Sequence, residues 1–443
     1  MRLELHTMAA GWLTLWRSCL GLLLALGLGL IVSLPAGAAE THGKAADAPA
    51  KVVKADAGEP DDCCSGAVAV TGIKQFAYSY LTAFMFFLSI CLGSLFLVIL
   101  HHLMDANWSV PIRRFLEHIA CLLFPWMLIL FIPILLLAKS QIYPWMQIAN
   151  PDGDHALHVK KALFNENTFY LVSVALFCAW GFLAHGLRRA SLEQDKTGAA
   201  SCTVRMRRYA AGGIFVFAIT LTLAAIYWMK SLQHQFFSTM YGVYYFAGSV
   251  WTTLATTYLL ALKFKNEGQL KHVLRERQFH DIGVLLFAFT VFYAYIHFSQ
   301  YFLIWNAGVP EETFWYVLRE KGTWWYVGLL IIFGHFFLPF LALLRIDAKM
   351  KLSVIVPVCV WAWIMHYFDM QFNIMPVIHP NGVALGWQDV VCVAFIGTVL
   401  YQLFLKAFAS HPPYPQRDPR IAETMGVYVD MPAAGNPARG GAK

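Results

Sequence analysis

Histidine, aspartate and tyrosine recur at helical spacing inside stretches that are otherwise apolar. Thr290, Tyr293, His297 and Gln300 follow one another at steps of three, four and three, and Trp363, His366, Asp369 and Asn373 at steps of three, three and four. On an α-helix each set shares one face. Tyr245, Ser249, Thr252 and Thr256 make a similar series, and His335 stands near the middle of its own apolar run. An ionisable group costs at least about 2.5 kcal/mol at the centre of a bilayer, so these side chains are expected to face a protein interior or water. The stripes are expected to meet inside one bundle.

Three chemistries fit such a set. A proton wire needs groups that exchange protons near neutral pH, as His does and as a carboxyl does when burial raises its pKa. A quinol site needs an acceptor for each hydroxyl proton, aromatic walls and an electron acceptor close by, which this chain does not itself supply. A b-haem needs two histidines at matching depth on facing helices, and His297 with His366 are the candidates. The competing reading is an interhelical hydrogen-bond seam, worth about 0.6 kcal/mol per contact. Asp369 fits a plain seam least well, being the deepest charged group on its side of the chain. No catalytic residue is identified, the quinone-binding residues stay unassigned, and no metal site is expected.

Other polar groups lie where charge is cheap. His101, His102, Asp105, Glu117 and His118 fall at the ends of two apolar runs and are expected at the membrane interface. His280 and Asp281 open another run, as a helix cap or as a point of proton uptake. Trp305, Trp324, Trp325, Tyr326 and Trp387 are expected in an interfacial aromatic belt.

The elements that must position these residues follow from composition. The chain has 443 residues, 58% of them hydrophobic and only 13% charged, against about 25% charged in soluble domains. Its mean hydropathy is +0.55. The fold class expected is an all-α integral membrane protein. Ten apolar runs are each long enough to span: Trp12 to Leu34, Phe76 to His102, Phe115 to Leu137, Thr168 to Leu187 and Tyr209 to Met229, then Tyr241 to Leu262, Ile282 to Ile304, Trp324 to Leu344, Leu352 to Met370 and Trp387 to Phe408. Two four-helix bundles plus flanking helices would accommodate them. Alternate loops are rich in Lys and Arg, among them Arg113 and Arg114, Arg188 to Arg208, Lys263 to Arg277, and Arg345 to Lys351. Short cytoplasmic loops carry that excess, so this set and the C-terminus are placed in the cytoplasm.

Four regions result. Residues 1–38 form an N-terminal transmembrane helix or a signal peptide ending at Ala36-Gly37-Ala38, with the retained helix favoured by its length. Residues 39–75 read as a flexible periplasmic linker, 76–409 as the polytopic membrane domain, and 410–443 as a proline-rich cytoplasmic tail, a strap lying on a neighbour rather than a folded domain. The formal charge of +7 is spread through short loops and gives no basic face for nucleic acid. Nine cysteines form no C-x-x-C, which removes c-haem attachment, zinc ribbons and iron-sulfur ligand runs from this chain, and the adjacent Cys63 and Cys64 have no assigned role. P-loop, dinucleotide and H-E-x-x-H motifs are missing too. A stand-alone transporter is disfavoured, because Pro125, Pro133, Pro339 and Pro357 do not sit in unusually short, interrupted runs.

Several stretches resemble the ActF-type subunits of alternative complex III, a bacterial quinol:electron-acceptor oxidoreductase. They include SYLTAFMFFLSICLGSLFLVILHHL from Ser79, WSVPIRRFLEHIA from Trp108, YGVYYFAGSVWTTLATTY from Tyr241 and RERQFHDIGVLLFAFTVFYAYIHFSQYFLIW from Arg275. Others are VPEETFWYVLREKGTWW from Val309, FGHFFLPFLALLRID from Phe333 and the tail DPR at Asp418 to Arg420. The resemblance implies a ten-helix paralogue of NrfD/PsrC-type quinol-oxidising subunits that is not an enzyme alone. It also implies that this chain binds no redox cofactor, quinol being possible. Iron-sulfur clusters and c-haems would then reside in partner subunits: an iron-sulfur protein, c-type cytochromes and an ActC-like sister membrane subunit. In that setting the chain supports quinol oxidation and lines a proton pathway, with His280, Asp281, Tyr293, His297, His335, His366 and Asp369 as candidates. The alternatives are a purely structural membrane anchor, or a quinol-binding subunit of another oxidoreductase.

Overall fold

The computed structural model describes residues 71–148 and 154–425. The expected first run, most of the linker, the Cys63-Cys64 pair and residues 426–443 lie outside them. The described residues are helical without any strand. The helices are α1 Gly72–Leu103, α2 Val110–Ala120, α3 Trp126–Leu137, α4 His155–Val159, α5 Glu166–Thr197, α6 Ala200–Trp228 and α7 Tyr241–Asn266. Then come α8 Glu276–Ala307, α9 Pro310–Arg319, α10 Trp324–Leu330, α11 Leu338–Leu343, α12 Leu352–Ile374, α13 Trp387–Ala409 and α14 Ile421–Thr424. The first helix among the described residues begins at Gly72, where Thr71 Oγ1 caps α1 by accepting from Lys74 N at 3.3 Å, inside the stretch expected to be linker.

Nine of the ten expected runs fall within the described residues, and all nine are helical. Eight segments are long and apolar enough to cross a membrane, the second built from α2 with α3 and the sixth from α10 with α11. The run at Tyr241 forms a continuous 26-residue helix, α7, but carries too many Tyr, Ser and Thr residues to stand among those eight. Its position explains the tolerance: α7 packs against α1, α6, α8 and α12 and is buried from Ala247 through Tyr258. A helix surrounded by protein need not be apolar toward lipid.

The first four spans make one bundle (α1, α2 with α3, α5, α6) and the next four another (α7, α8, α10 with α11, α12). Their leading helices, α1 and α7, pack on each other, and α13 flanks α1. Turn chemistry fixes the hairpins: α5 ends at Gly198 with φ of 68°, a left-handed position suited to glycine, and α6 starts at Ala200.

The two ends of the bundle differ. At the Lys/Arg-rich end, Asp105 is exposed as expected, but His101, His102, Glu117 and His118 are buried along with Arg113 and Arg114. Residues 411–425 cause this. Residues 411–425 run across this end of their own chain, where Asp418 accepts from Arg113 Nη1 at 2.6 Å. Arg420 grips Asp418 through Nε and Nη2, both at 2.9 Å, and reaches Asp105 at 2.7 Å. Gln416 N donates to Asp195 Oδ1 at 3.0 Å, and Thr424 Oγ1 to Asn107 O at 2.8 Å. At the other end Trp305, Trp325, Tyr326 and Trp387 are exposed as a belt requires, but Trp324 is fully buried and donates to His379 O at 2.7 Å.

Candidate functional site

Helix α12 presents His366, Asp369 and Asn373 on one buried face, and the second bundle closes around them. Asp369 Oδ1 accepts a short hydrogen bond from Tyr244 Oη, and Asn373 Nδ2 donates to Tyr244 Oη at 3.0 Å. With the Tyr244 hydroxyl proton committed to Asp369, the 3.1 Å contact between Tyr244 Oη and Tyr293 Oη runs from Tyr293 as donor. Tyr241 Oη donates to Asn373 Oδ1 at 3.0 Å. The result is a continuous chain of hydroxyls ending on one carboxylate oxygen.

On the other side, His366 Nε2 lies 2.9 Å from Ser89 Oγ. The single hydroxyl proton of Ser89 goes to Phe86 O at 2.6 Å, so His366 must donate from Nε2. This assigns the tautomer. Nδ1 of the neutral ring is left as an acceptor, 3.9 Å from Asp369 Oδ2. Gly248 makes the approach feasible, since a Cβ there would come within 2.9 Å of His366 Cε1.

His335 enters through a local break in helical register. Pro339 has no N–H to offer the carbonyl four residues back, and the chain from Ile331 to Phe337 is π-helical. Leu338 N–H bonds Phe333 O, five residues back, and the freed Gly334 O takes Trp361 Nε1 at 2.7 Å. The imidazole of His335 is thereby held in a stack between Trp251 and Tyr293, with ring centroids 3.8 Å and 3.7 Å away. Trp251 is itself fixed by its Nε1 bond to Thr290 Oγ1 at 2.8 Å.

Of the residues singled out in the sequence, Tyr293, His335, His366 and Asp369 therefore converge. His297 borders them, half-buried, with its ring against Tyr244 at 5.5 Å and Tyr293 at 5.8 Å. Tyr293 packs against both His297 and His335, with ring centroids 5.8 Å and 3.7 Å away. His280 and Asp281 lie elsewhere, partly exposed near the basic end of α8 and 3.5 Å from each other. Thirteen residues separate them from Tyr293 along α8, a rise of about 20 Å. Nor do they cap the helix: α8 begins at Glu276, and Gln278 Oε1 accepts from Arg275 N at 2.8 Å.

The sequence series on α7 was displaced by one residue. Tyr245 donates to Met85 O at 2.8 Å on α1, whereas Tyr244 meets Asp369. Both are buried because α7 is enclosed on all sides, so hydropathy had no preference between the two faces. Arg319 also escaped notice. It is buried at the end of α9, donates to Phe372 O at 2.8 Å and Asn373 O at 2.9 Å, and lies over the Trp315 ring at 3.4 Å. Burial pushes its guanidinium down to about 9, which still leaves it charged at neutral pH. It pins the end of α12 just beyond Asn373. Neither a protein-family model nor a curated protein matches this chain.

Proposed function

We propose that this chain is a multi-pass subunit of a bacterial inner-membrane quinol oxidoreductase of the alternative complex III type. Its Asp369 cluster passes protons in support of quinol oxidation carried out beside it. The observation that carries this reading is Asp369 itself: a buried carboxyl group in the second bundle with a neutral histidine 3.9 Å away and, among the described residues, no Lys or Arg salt bridge. A permanent cation would lock the carboxylate in its charged form. Histidine and hydroxyl partners leave it free to take up and release a proton. The two-bundle architecture supports the resemblance to NrfD-type subunits, and the excess of Lys and Arg at one end supports a cytoplasmic C-terminus. Electrons would travel through iron-sulfur and c-haem partner subunits, with an ActC-like sister alongside.

The test has two parts. A tagged copy purified in mild detergent should bring iron-sulfur and multihaem c-type chains with it, identified by mass spectrometry and the visible spectrum; elution alone would sink the assignment. Asp369→Asn, which keeps shape and removes the titrating group, should abolish turnover in an assembled complex. Normal turnover would instead leave the chain as a structural anchor.

A further inference from the structure

We infer that His335, His366 and Asp369 form a binding site for one water molecule, which links the imidazole and carboxyl branches of the cluster into a single proton-conducting unit. The inference rests on the proton-transfer reading of this site. Both ring nitrogens of His335, Nδ1 of His366 and Oδ2 of Asp369 are buried without a protein hydrogen-bond partner. One ligand atom from each residue lies within 4.8 Å of the other two. A buried polar group left unbonded is costly, so three residues whose unbonded atoms converge call for a shared partner.

The hydrogen count specifies that partner. The Ser89 contact leaves His366 Nδ1 as an acceptor, and Asp369 Oδ2 is an acceptor as well. Two acceptors facing each other at 3.9 Å need a donor between them. A neutral His335 has one N–H to give. A water that donates one hydrogen to His366 Nδ1 and the other to Asp369 Oδ2, and accepts from one ring nitrogen of His335, gives each of the three residues a partner there, and three bonds is the usual number for a buried water.

Two imidazoles and a carboxylate also suit a transition-metal ion, and distance decides between the two. Ligand atoms about 2.1 Å from a metal stand about 3.0–3.4 Å apart. Around a water with bonds of about 2.8 Å they stand about 4–4.6 Å apart. The measured 3.9 Å lies nearer the second. A divalent ion with one carboxylate would also bury a net positive charge in the bilayer interior, where charge is most costly.

The purified complex, imaged by electron cryo-microscopy at a resolution that shows ordered waters, should carry a density peak about 2.8 Å from all three atoms. The peak should be lost in His335→Phe, which keeps the ring stack and removes both nitrogens. If that variant does not assemble, Asp369→Asn gives the same readout, since its amide N–H supplies His366 Nδ1 directly and displaces the water. Elemental analysis runs in parallel. About one transition-metal ion per chain, lost in His366→Ala, would overturn the water site, as would a map in which the three side chains touch with no density between them. Turnover is a separate readout: a water peak together with normal turnover in Asp369→Asn would keep the site and discard the proton-transfer reading.

Discussion

At the basic end Arg113, Arg114 and Arg420 face Glu117, Asp195 and Asp418, whereas in the interior of the second bundle Asp369 faces two histidines, two tyrosines and an asparagine. Both groups are buried, but their charges are settled differently. At the basic end three cations meet three carboxylates: Arg114 bonds Glu117 at 3.1 Å and makes a short bond to Asp195, while Arg113 sits 3.1 Å from Glu117 and 2.6 Å from Asp418. Every formal charge there has an opposite neighbour. Around Asp369 the partners are groups that give or take protons. Paired ions hold elements together, and unbalanced, protonatable ones are where proton chemistry is affordable.

The contrast is broken most directly by Asp369→Asn. If the interior group is a proton carrier, turnover of the assembled complex should fall by about 10²–10⁴-fold, the usual range for losing a positioned acid or base, with little change in thermal stability. The opposite pattern is expected for Asp418→Ala. Arg113 keeps Glu117 but loses one of its two carboxylates, and Arg420 loses its grip on the tail, which should cost about 1–3 kcal/mol of stability, read as a lower melting temperature and protease sensitivity of residues 411–425, with the turnover per intact complex unchanged. Equal effects of the two variants on turnover would erase the distinction between the clusters.

Tyr244→Phe is a finer probe. It removes the hydroxyl that joins Tyr293 to Asp369 and should slow turnover by less than loss of the carboxylate does, with a larger solvent deuterium isotope effect if proton transfer has become limiting. An unchanged rate would show that the Tyr293 branch carries no protons.

The pH response should also differ. Burial alone would raise the Asp418 carboxyl, but the Arg420 hydrogen bond and the charges of Arg113 and Arg420 outweigh it and hold it well below the usual carboxylate range. A group depressed in the folded state stabilises above its unfolded pKa, and that stability is lost only as pH falls through the folded value. The protection of amides in residues 411–425, taken as hydrogen exchange relative to the intrinsic rate at each pH, should therefore be flat from about pH 5 to 8, since loosening begins only below about pH 3.9. The smallest effect belongs to Asp105→Asn, whose half-exposed pair with Arg207 at 2.6 Å should contribute only about 0.2–1 kcal/mol in a melting experiment and weaken further in high salt.

What the sequence determined by itself was the membrane fold and the faces of isolated stripes. Runs of about 20 apolar residues have few alternatives to a spanning helix, because lipid offers the backbone no hydrogen bonds. The stripes on α8 and α12 were legible because polar residues stand out against apolar neighbours at a fixed helical step. Composition could not rank the faces of α7, where every direction is buried, so Tyr244 and Tyr245 exchanged roles. Nor could it foresee that Pro339 would shift the helical register and turn His335 into the Trp251–Tyr293 stack. The contacts of the tail are hidden for a related reason: Asp418 and Arg420 meet Arg113 and Asp105, three hundred residues away in the chain. Contacts of that range depend on how helices pack, and packing is decided by the summed fit of many side chains, which no single stretch of sequence contains.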